Sequence, residues 1–159
     1  MRFTEEFDDG RIIEHTIDTT SIAAVVAVFS EDDSSCVIKI YFVGGYASTV
    51  FPPSAKDGRD MIDIIKNERK EFISVCWKTS KEKCSITTGP YGVVSVESEI
   101  RENTNTGLLR VVFDYSSAVE LVTENVFPEK LTELGIDSDT AVFMTLKQHI
   151  EQNLMRQFL

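Results

Sequence analysis

The sequence predicts an α+β fold built mainly on antiparallel sheet. Apolar runs of strand length, separated by polar or glycine turns, recur over 11–51 and again over 92–123. Two other segments, 55–70 and 139–158, carry apolar residues at helical spacing. Apolar runs bounded by turn residues indicate strands, and apolar residues three and four apart indicate helices. The chain length matches one ordinary domain, so we expect a single domain over 1–159.

The first of these regions, 11–51, is predicted to be an antiparallel meander. Its second and third strands are joined by a polar turn at 30–35, and Gly44-Gly45 makes a tight turn into the last strand. Paired glycines between apolar runs are typical of hairpin turns. The strands are expected at 11–18, 22–29, 36–43 and 46–51.

A helix is predicted over 55–70, after Pro52-Pro53 ends the sheet. Ser54 and Asp57 have the spacing of a capping box. Gly58 weakens the first turn by about 1 kcal/mol relative to alanine. Apolar residues recur at helical spacing at Met61, Ile62, Ile65 and Phe72, with Ile64 alongside. Further strands are expected at 72–77 and 84–87.

The second meander, 92–123, has a cleanly alternating first strand. Val94, Val96 and Ile100 are expected on its buried face, with the intervening polar residues in water. Both meanders share one plan of strand, polar turn, strand, short turn and strand, followed by a proline and a helix. Two explanations of this shared plan are open. It is either a chance similarity of two meanders or the result of an ancient duplication, which would give βββα half-units over 11–72 and 84–159.

The C-terminal helix, expected over 139–158 after the capping residues Asp137-Ser138, has a wide apolar arc. Such an arc exceeds what one sheet face usually needs. It indicates either a core helix packed between a sheet and a loop, or a helix that also contacts a partner subunit. The residues assigned to this contact are Phe143, Leu146, Ile150, Leu154, Met155 and Phe158.

Charge is strongly negative overall but unevenly distributed. The formal net charge is −10, which argues against direct nucleic-acid binding and against binding to anionic membranes. Residues 51–90 nevertheless hold eight bases and six acids, so the middle of the chain is a basic island between acidic ends. Its bases either complement the dipole of the first helix or dock an acidic surface, such as the acidic end of an identical neighbour. The docking residues would be Lys78, Lys81 and Lys83 on one side and Glu31, Asp32 and Asp33 on the other.

Catalytic and cofactor-binding patterns are lacking in the sequence. His15 and His149 have no cysteine or histidine at ligand spacing, so we expect no metal site. There is neither a nucleophile elbow nor a glycine-rich phosphate loop, and we expect no cofactor and no enzyme. Cysteines at 36, 76 and 84 are odd in number and widely spaced, which is typical of reduced thiols. With an acidic start and no long apolar stretch, the chain is expected in the cytoplasm, without membrane contact.

One local resemblance concerns residues 131–159. Leu-Thr-Glu-Leu-Gly-Ile-Asp at 131–137 precedes a helix that contains Ile-Glu-Gln at 150–152 and ends in Arg-Gln-Phe-Leu at 156–159. This segment resembles the C-terminal helices of the acidic mitochondrial matrix proteins that form doughnut-shaped trimers. The resemblance implies an acidic oligomer, but the chain departs from that family in having no transit peptide, N-terminal helix or long acidic internal loop.

Three hypotheses about function follow from these patterns. The first is a non-catalytic assembly or structural protein that associates with itself, for which a viral or phage particle component is one setting. The second is an acidic inhibitor or decoy, such as an immunity or anti-defence protein, that binds a basic protein surface through carboxylates at Glu5, Glu6, Asp8, Asp9 and 31–33. The third is an enzyme whose site is assembled from scattered residues, for which a pocket holding Cys76 would be evidence.

Overall fold

In the computed structural model, the fold is α+β with antiparallel sheets, as predicted. The residues that the structure describes are 1–78, 82–101, 106–113, 120–124 and 139–155. They form three sheets, which have the strand orders β1-β2, β5-β4-β3-β7-β6 and β10-β9-β8. The strands are β1 Arg2–Glu6, β2 Ile12–Thr16, β3 Ile22–Ser30, β4 Cys36–Phe42, β5 Ala47–Val50, β6 Ile73–Lys78, β7 Glu82–Thr88, β8 Val93–Arg101, β9 Thr106–Phe113 and β10 Glu120–Glu124. The helices are α1 Ala55–Glu68 and α2 Asp139–Leu154.

Strand β3 is the middle of the five-stranded sheet and is buried on both faces. Val25 and Ala27 point towards α1, while Ala24 and Val26 point towards the three-stranded sheet and α2. A strand covered on both sides needs a continuous apolar run rather than alternation, and Ile22–Ser30 supplies one. The sheet therefore has a core on each side.

The first core lies between the sheet and α1. Ser54 caps the helix by accepting a hydrogen bond from the Asp57 backbone N–H at 3.1 Å, and its hydroxyl donates to the Asp57 carboxylate at 2.7 Å. Gly58 allows a close approach, because a Cβ there would lie 2.5 Å from the Cys36 Sγ atom. The buried apolar residues of this core include Ile22, Val25, Phe29, Ile38, Ile40, Val50, Met61, Ile62, Ile65 and Phe72.

The second core lies between the opposite face of the sheet, the three-stranded sheet and α2. Met155, at the end of α2, forms a parallel bridge with Val93 at the start of β8. The buried residues of this core include Ala24, Val26, Tyr41, Val75, Trp77, Ile86, Val93, Leu109, Val111, Phe113, Leu146, Ile150 and Leu154. Within the described residues, no helix is both long enough and apolar enough to cross a lipid bilayer.

The N-terminal strands correct the predicted meander 11–51. Strand β2 pairs with β1 in a separate hairpin, and only β3, β4 and β5 form the meander. The physical reason lies between β2 and β3, where a 3₁₀ turn at Thr19–Ser21, capped by Asp18, redirects the chain. The side chain of Arg69 fixes this turn by donating to the carbonyl oxygens of Thr19 and Ile22 at 2.8 and 2.9 Å.

Strand β8 corrects a second prediction, the burial of Val94. A register shift in the pairing with β9 between Val93 and Ser95 leaves Val94 51% exposed and turns Val93 into the core. A bulge of this kind reverses the faces of the residues before it. Helix α1 ends two residues earlier than predicted, and residues 156–158 of the predicted C-terminal helix lie outside the described residues.

The two predicted meanders are present as β3-β4-β5 and β8-β9-β10, each followed along the chain by a helix. The first sheet additionally contains β6 and β7, with β7 paired directly to β3. The duplication of half-units 11–72 and 84–159, and the single domain over 1–159, stay predictions.

Candidate functional site

A groove of about 400 Å³ lies between α1 and the last two strands of the five-stranded sheet. Helix α1 packs over β3 and β4, so the sheet beyond it, towards β7 and β6, is left open on this face. Strand β6 is an edge of the sheet, because in the described part of the chain only β7 pairs with it. The lining residues are Phe29, Arg59, Ile62, Asp63, Lys66, Ser74, Cys76, Trp77, Lys83, Cys84 and Ser85.

Basic side chains from two elements meet at this groove. Arg59 and Lys66 come from α1, and Lys83 comes from β7. Their sequence positions belong to the predicted basic island, so the fold brings part of that island together. Asp33, in the turn between β3 and β4, accepts from the Arg59 guanidinium at 3.3 Å and lies 3.6 Å from the Lys83 Nζ atom. The acidic turn and the basic island thus contact each other within one molecule.

The strand side of the groove carries small polar side chains. The hydroxyl groups of Ser74 on β6 and Thr87 on β7 lie 2.7 Å apart, on residues that pair directly across the strands. Cys76 also lies on β6 and is exposed. Trp77 is buried against α2 and the three-stranded sheet, and its indole N–H has no hydrogen-bond acceptor among the described residues.

The three thiols differ in their surroundings. Burial raises the pKa of Cys36 to about 11, although the nearby Arg59 charge acts in the opposite direction. Burial also raises the pKa of Cys84 to about 12, and the Glu82 charge adds to the effect. Both groups therefore stay protonated at neutral pH, while Cys76 is exposed on β6.

The α2 residues assigned to a partner contact lie largely inside the protein. Leu146, Ile150 and Leu154 have no exposed surface and pack in the second core, and Met155 is partly buried against it. Phe143 lies on α2, but its side chain is not among those described, and Phe158 lies outside the described residues. The width of the apolar arc is explained by two sheets that the helix contacts, through β6 on one side and β8 and β9 on the other.

The predicted docking lysines are only partly placed. Lys83 lines the groove. Lys78 is the last residue of β6, without a described side chain, and Lys81 lies outside the described residues.

The acidic docking residues have structural partners of their own. Asp32 holds the β3–β4 turn by accepting from the Ser34 hydroxyl, the Ser34 backbone N–H and the Ser30 hydroxyl at 2.6, 3.0 and 2.8 Å. These bonds lower the pKa of Asp32 to about 2, with the Ser34 hydroxyl as the largest cause. Asp33 contacts two of the groove cations, Arg59 and Lys83, and Glu31 is exposed.

A buried carboxylate at the opposite edge of the sheet was missed in the sequence. Glu5 on β1 is 3% exposed. Its Oε1 atom accepts from the Phe51 backbone N–H at 2.6 Å, and its Oε2 atom lies 3.2 Å from the His15 Nε2 atom. The signal was weak, because Glu5 stands in a run of acids that is typical of exposed surface. Glu5 is therefore not available to the basic protein surface that the decoy hypothesis requires.

Metal-binding clusters of three or more ligating side chains do not occur among the described residues. Comparisons of the chain with protein-family models, with curated proteins and with solved structures found no match. The resemblance of 131–159 to the acidic matrix proteins accordingly stays a prediction.

Proposed function

We propose that this protein is a non-catalytic assembly protein that acts through protein–protein contacts and associates with copies of itself. The observation that carries the proposal is the edge strand β6. It has six residues, contains no proline and has no charged residue before Lys78. An exposed edge presents unpaired backbone N–H and C=O groups, and proteins usually protect such edges with prolines, charges or bulges. Strand β6 lacks these devices over 73–77, so it is suited to pairing with another chain.

Charge supports contact at this part of the surface. With a net charge of −10, two copies repel each other over most orientations. At the groove beside β6, the cations Arg59, Lys66 and Lys83 outnumber the anions Asp33 and Asp63. Two copies that approach through this region bring together surfaces without an excess of negative charge, which favours this orientation over those that oppose acidic surfaces.

Two of the three thiols support a reducing compartment, such as the cytoplasm, as the setting of this proposal. Cys36 and Cys84 are buried in the protein and form no disulfide.

The oligomeric state tests this proposal. We expect sedimentation equilibrium of the full chain, from micromolar to millimolar concentration, to show a concentration-dependent dimer or larger assembly. Raising the salt concentration is expected to strengthen association, because it screens the repulsion between two acidic molecules. A strict monomer over the whole range of protein concentration, at low salt and at high salt, would contradict the proposal.

A further inference from the structure

We propose that two copies join along β6, antiparallel to each other, about a two-fold axis perpendicular to the sheet. This inference rests on the proposed self-association and names its surface. The result would be one continuous sheet of ten strands, five from each copy. Pairing of this kind adds main-chain hydrogen bonds along both edges at once, as in other cases of strand addition. It is an isologous contact, which closes at two subunits.

The two faces of β6 restrict how two copies can pair. Ser74 and Cys76 lie on the groove side, while Val75 and Trp77 lie in the core with α2. A two-fold axis perpendicular to the sheet keeps each face continuous across the junction, so every residue must pair with one on the same face. Only two registers keep most of β6 paired. One sets Val75 opposite Val75 of the second copy, and the other sets Cys76 opposite Cys76.

Both registers bring compatible side chains together. With Val75 at the axis, Ile73 pairs with Trp77 and Ser74 with Cys76, so all five pairs are uncharged. With Cys76 at the axis, Val75 pairs with Trp77 and Ser74 with Lys78. Neither register sets like charges opposite each other, which would be destabilising in a strand pair. Strand β6 is therefore complementary to itself.

A second copy fits this edge better than an acidic peptide does. An acidic peptide would be held by the groove cations, but Asp33 already contacts two of the three, Arg59 and Lys83. The residues 73–77, by contrast, offer a neutral strand that another neutral strand can join. In a chain of net charge −10, two copies can meet at such a segment with little charge repulsion.

The first experiment places a charge on the edge. Ile73 is 39% exposed, so Ile73→Lys is expected to fold. Because the lysine would lie beside apolar residues of the second copy, we expect the dimer dissociation constant to rise by at least about tenfold. The matched control is Val94→Lys, a comparable change at a 51% exposed valine on β8, which should leave the constant unchanged. Equal effects of the two substitutions would overturn the proposal.

The second experiment reads the register and does not depend on how Ile73→Lys folds. Opposite residues in an antiparallel pair have Cα atoms about 4.5 to 5.5 Å apart, within the range that a disulfide spans. An added copper–phenanthroline oxidant should therefore link the wild-type dimer through Cys76 if Cys76 is at the axis. If Val75 is at the axis, the Ser74→Cys variant should link its introduced thiol to Cys76 of the second copy, and the wild type should not be linked. Buried Cys36 and Cys84 cannot contribute.

The control for this experiment uses the other edge of the same sheet. Ser48→Cys in a Cys76→Ser background places a thiol on β5 and should give no linked dimer. If sedimentation shows dimers but neither β6 thiol links them, the β6 junction is wrong while self-association stands. If sedimentation shows only monomers, both proposals fail.

Discussion

The two edges of the five-stranded sheet are built differently. Strand β5 has four residues, and Pro52-Pro53 follow it after a single residue, Phe51. The Phe51 N–H donates to the buried Glu5 carboxylate of the N-terminal hairpin. Strand β6 has six residues, no proline and no charge before its last residue. Prolines and charged groups are the devices with which proteins prevent edge-to-edge pairing. One edge thus carries protection against pairing with another chain, and the other has neither prolines nor charges over 73–77.

Protection of one edge is therefore a specific feature of the chain rather than a property of the whole sheet. Glu5 costs free energy to bury, and it is compensated by two polar contacts. If β5 needs such protection, then the absence of prolines and charges from residues 73–77 of β6 requires its own explanation. Pairing with a second copy supplies that explanation. Substitutions and labelling at both edges test the comparison, and the largest effect is expected at the thiols.

Thiol reactivity is the largest expected difference. At pH 7.5 we expect a maleimide to modify Cys76 at least about 100-fold faster than Cys36 or Cys84, because the reactive thiolate becomes tenfold rarer with each unit of pKa. The pKa of Cys36 is raised to about 11 and that of Cys84 to about 12, while Cys76 is exposed. Mass spectrometry should find one modified thiol per native chain and three in denaturant.

Two further results of the labelling experiment bear on the edges. The Cys76→Ser variant should lose the rapid phase completely. Labelling of Cys76 should also slow as the protein is concentrated, because pairing at β6 would cover the strand. Two rapid thiols in the native protein would contradict the burial of Cys36 or Cys84.

Removing the Glu5 carboxylate should open the protected edge. Glu5→Ala removes the acceptor of the Phe51 N–H and the contact with His15, and we expect the free energy of unfolding to fall by about 2 to 3 kcal/mol. Urea denaturation measures this loss. Glu6→Ala is the matched control, because Glu6 is exposed on the same strand and should change stability little. We also expect Glu5→Ala to form larger assemblies than wild type, since β5 would become available for pairing. Equal stabilities of the two variants would show that Glu5 does not hold the hairpin.

Gly58 determines how closely α1 approaches β3 and β4. An alanine Cβ would lie 2.5 Å from the Cys36 Sγ atom and 3.2 Å from Phe29 Cε1. We expect Gly58→Ala to lower the free energy of unfolding by about 1 to 2 kcal/mol, since overpacking exceeds the gain of about 1 kcal/mol in helix propensity. The double variant with Cys36→Ala should lose less than the sum of the single losses. A stabilised Gly58→Ala protein would show that no close contact exists.

Local patterns in the sequence predicted most elements of the fold. Ser54, Asp57 and the apolar spacing of Met61, Ile62 and Ile65 predicted α1, because caps and periodicity are local properties of a helix. Long-range pairing was not predictable in the same way. Nothing near β7 in the sequence indicates that it pairs with β3, and nothing near Val94 indicates the register shift that exposes it.

The groove was predictable only in part. The basic island was visible in the composition of residues 51–90. Its contact with Asp33 was not, because that contact joins Asp33 to Arg59 and Lys83, which lie 26 and 50 positions further along the chain. Likewise, the apolar stripe of α2 correctly indicated a large buried area without indicating what covers it. Leu146, Ile150 and Leu154 are covered by two sheets of the same chain, and a pattern of side chains cannot distinguish that arrangement from a partner subunit.

The smallest expected effect concerns the charge beside β6. Asp33 has a left-handed backbone, with φ of 59°, which asparagine also tolerates, so Asp33→Asn removes the charge without straining the turn. The ion pairs to Arg59 and Lys83 are partly exposed, and exposed pairs contribute less than about 1 kcal/mol. Stability should therefore change by less than that amount in urea denaturation. Self-association should weaken at low salt, however, because each groove gains net positive charge and a two-fold axis sets the grooves of both copies near each other. Asp9→Asn, in the N-terminal hairpin, is the matched control and should not weaken association. If Asp33→Asn strengthens association at low salt, then acidic surface rather than a second β6 faces the groove, and the β6 junction is wrong.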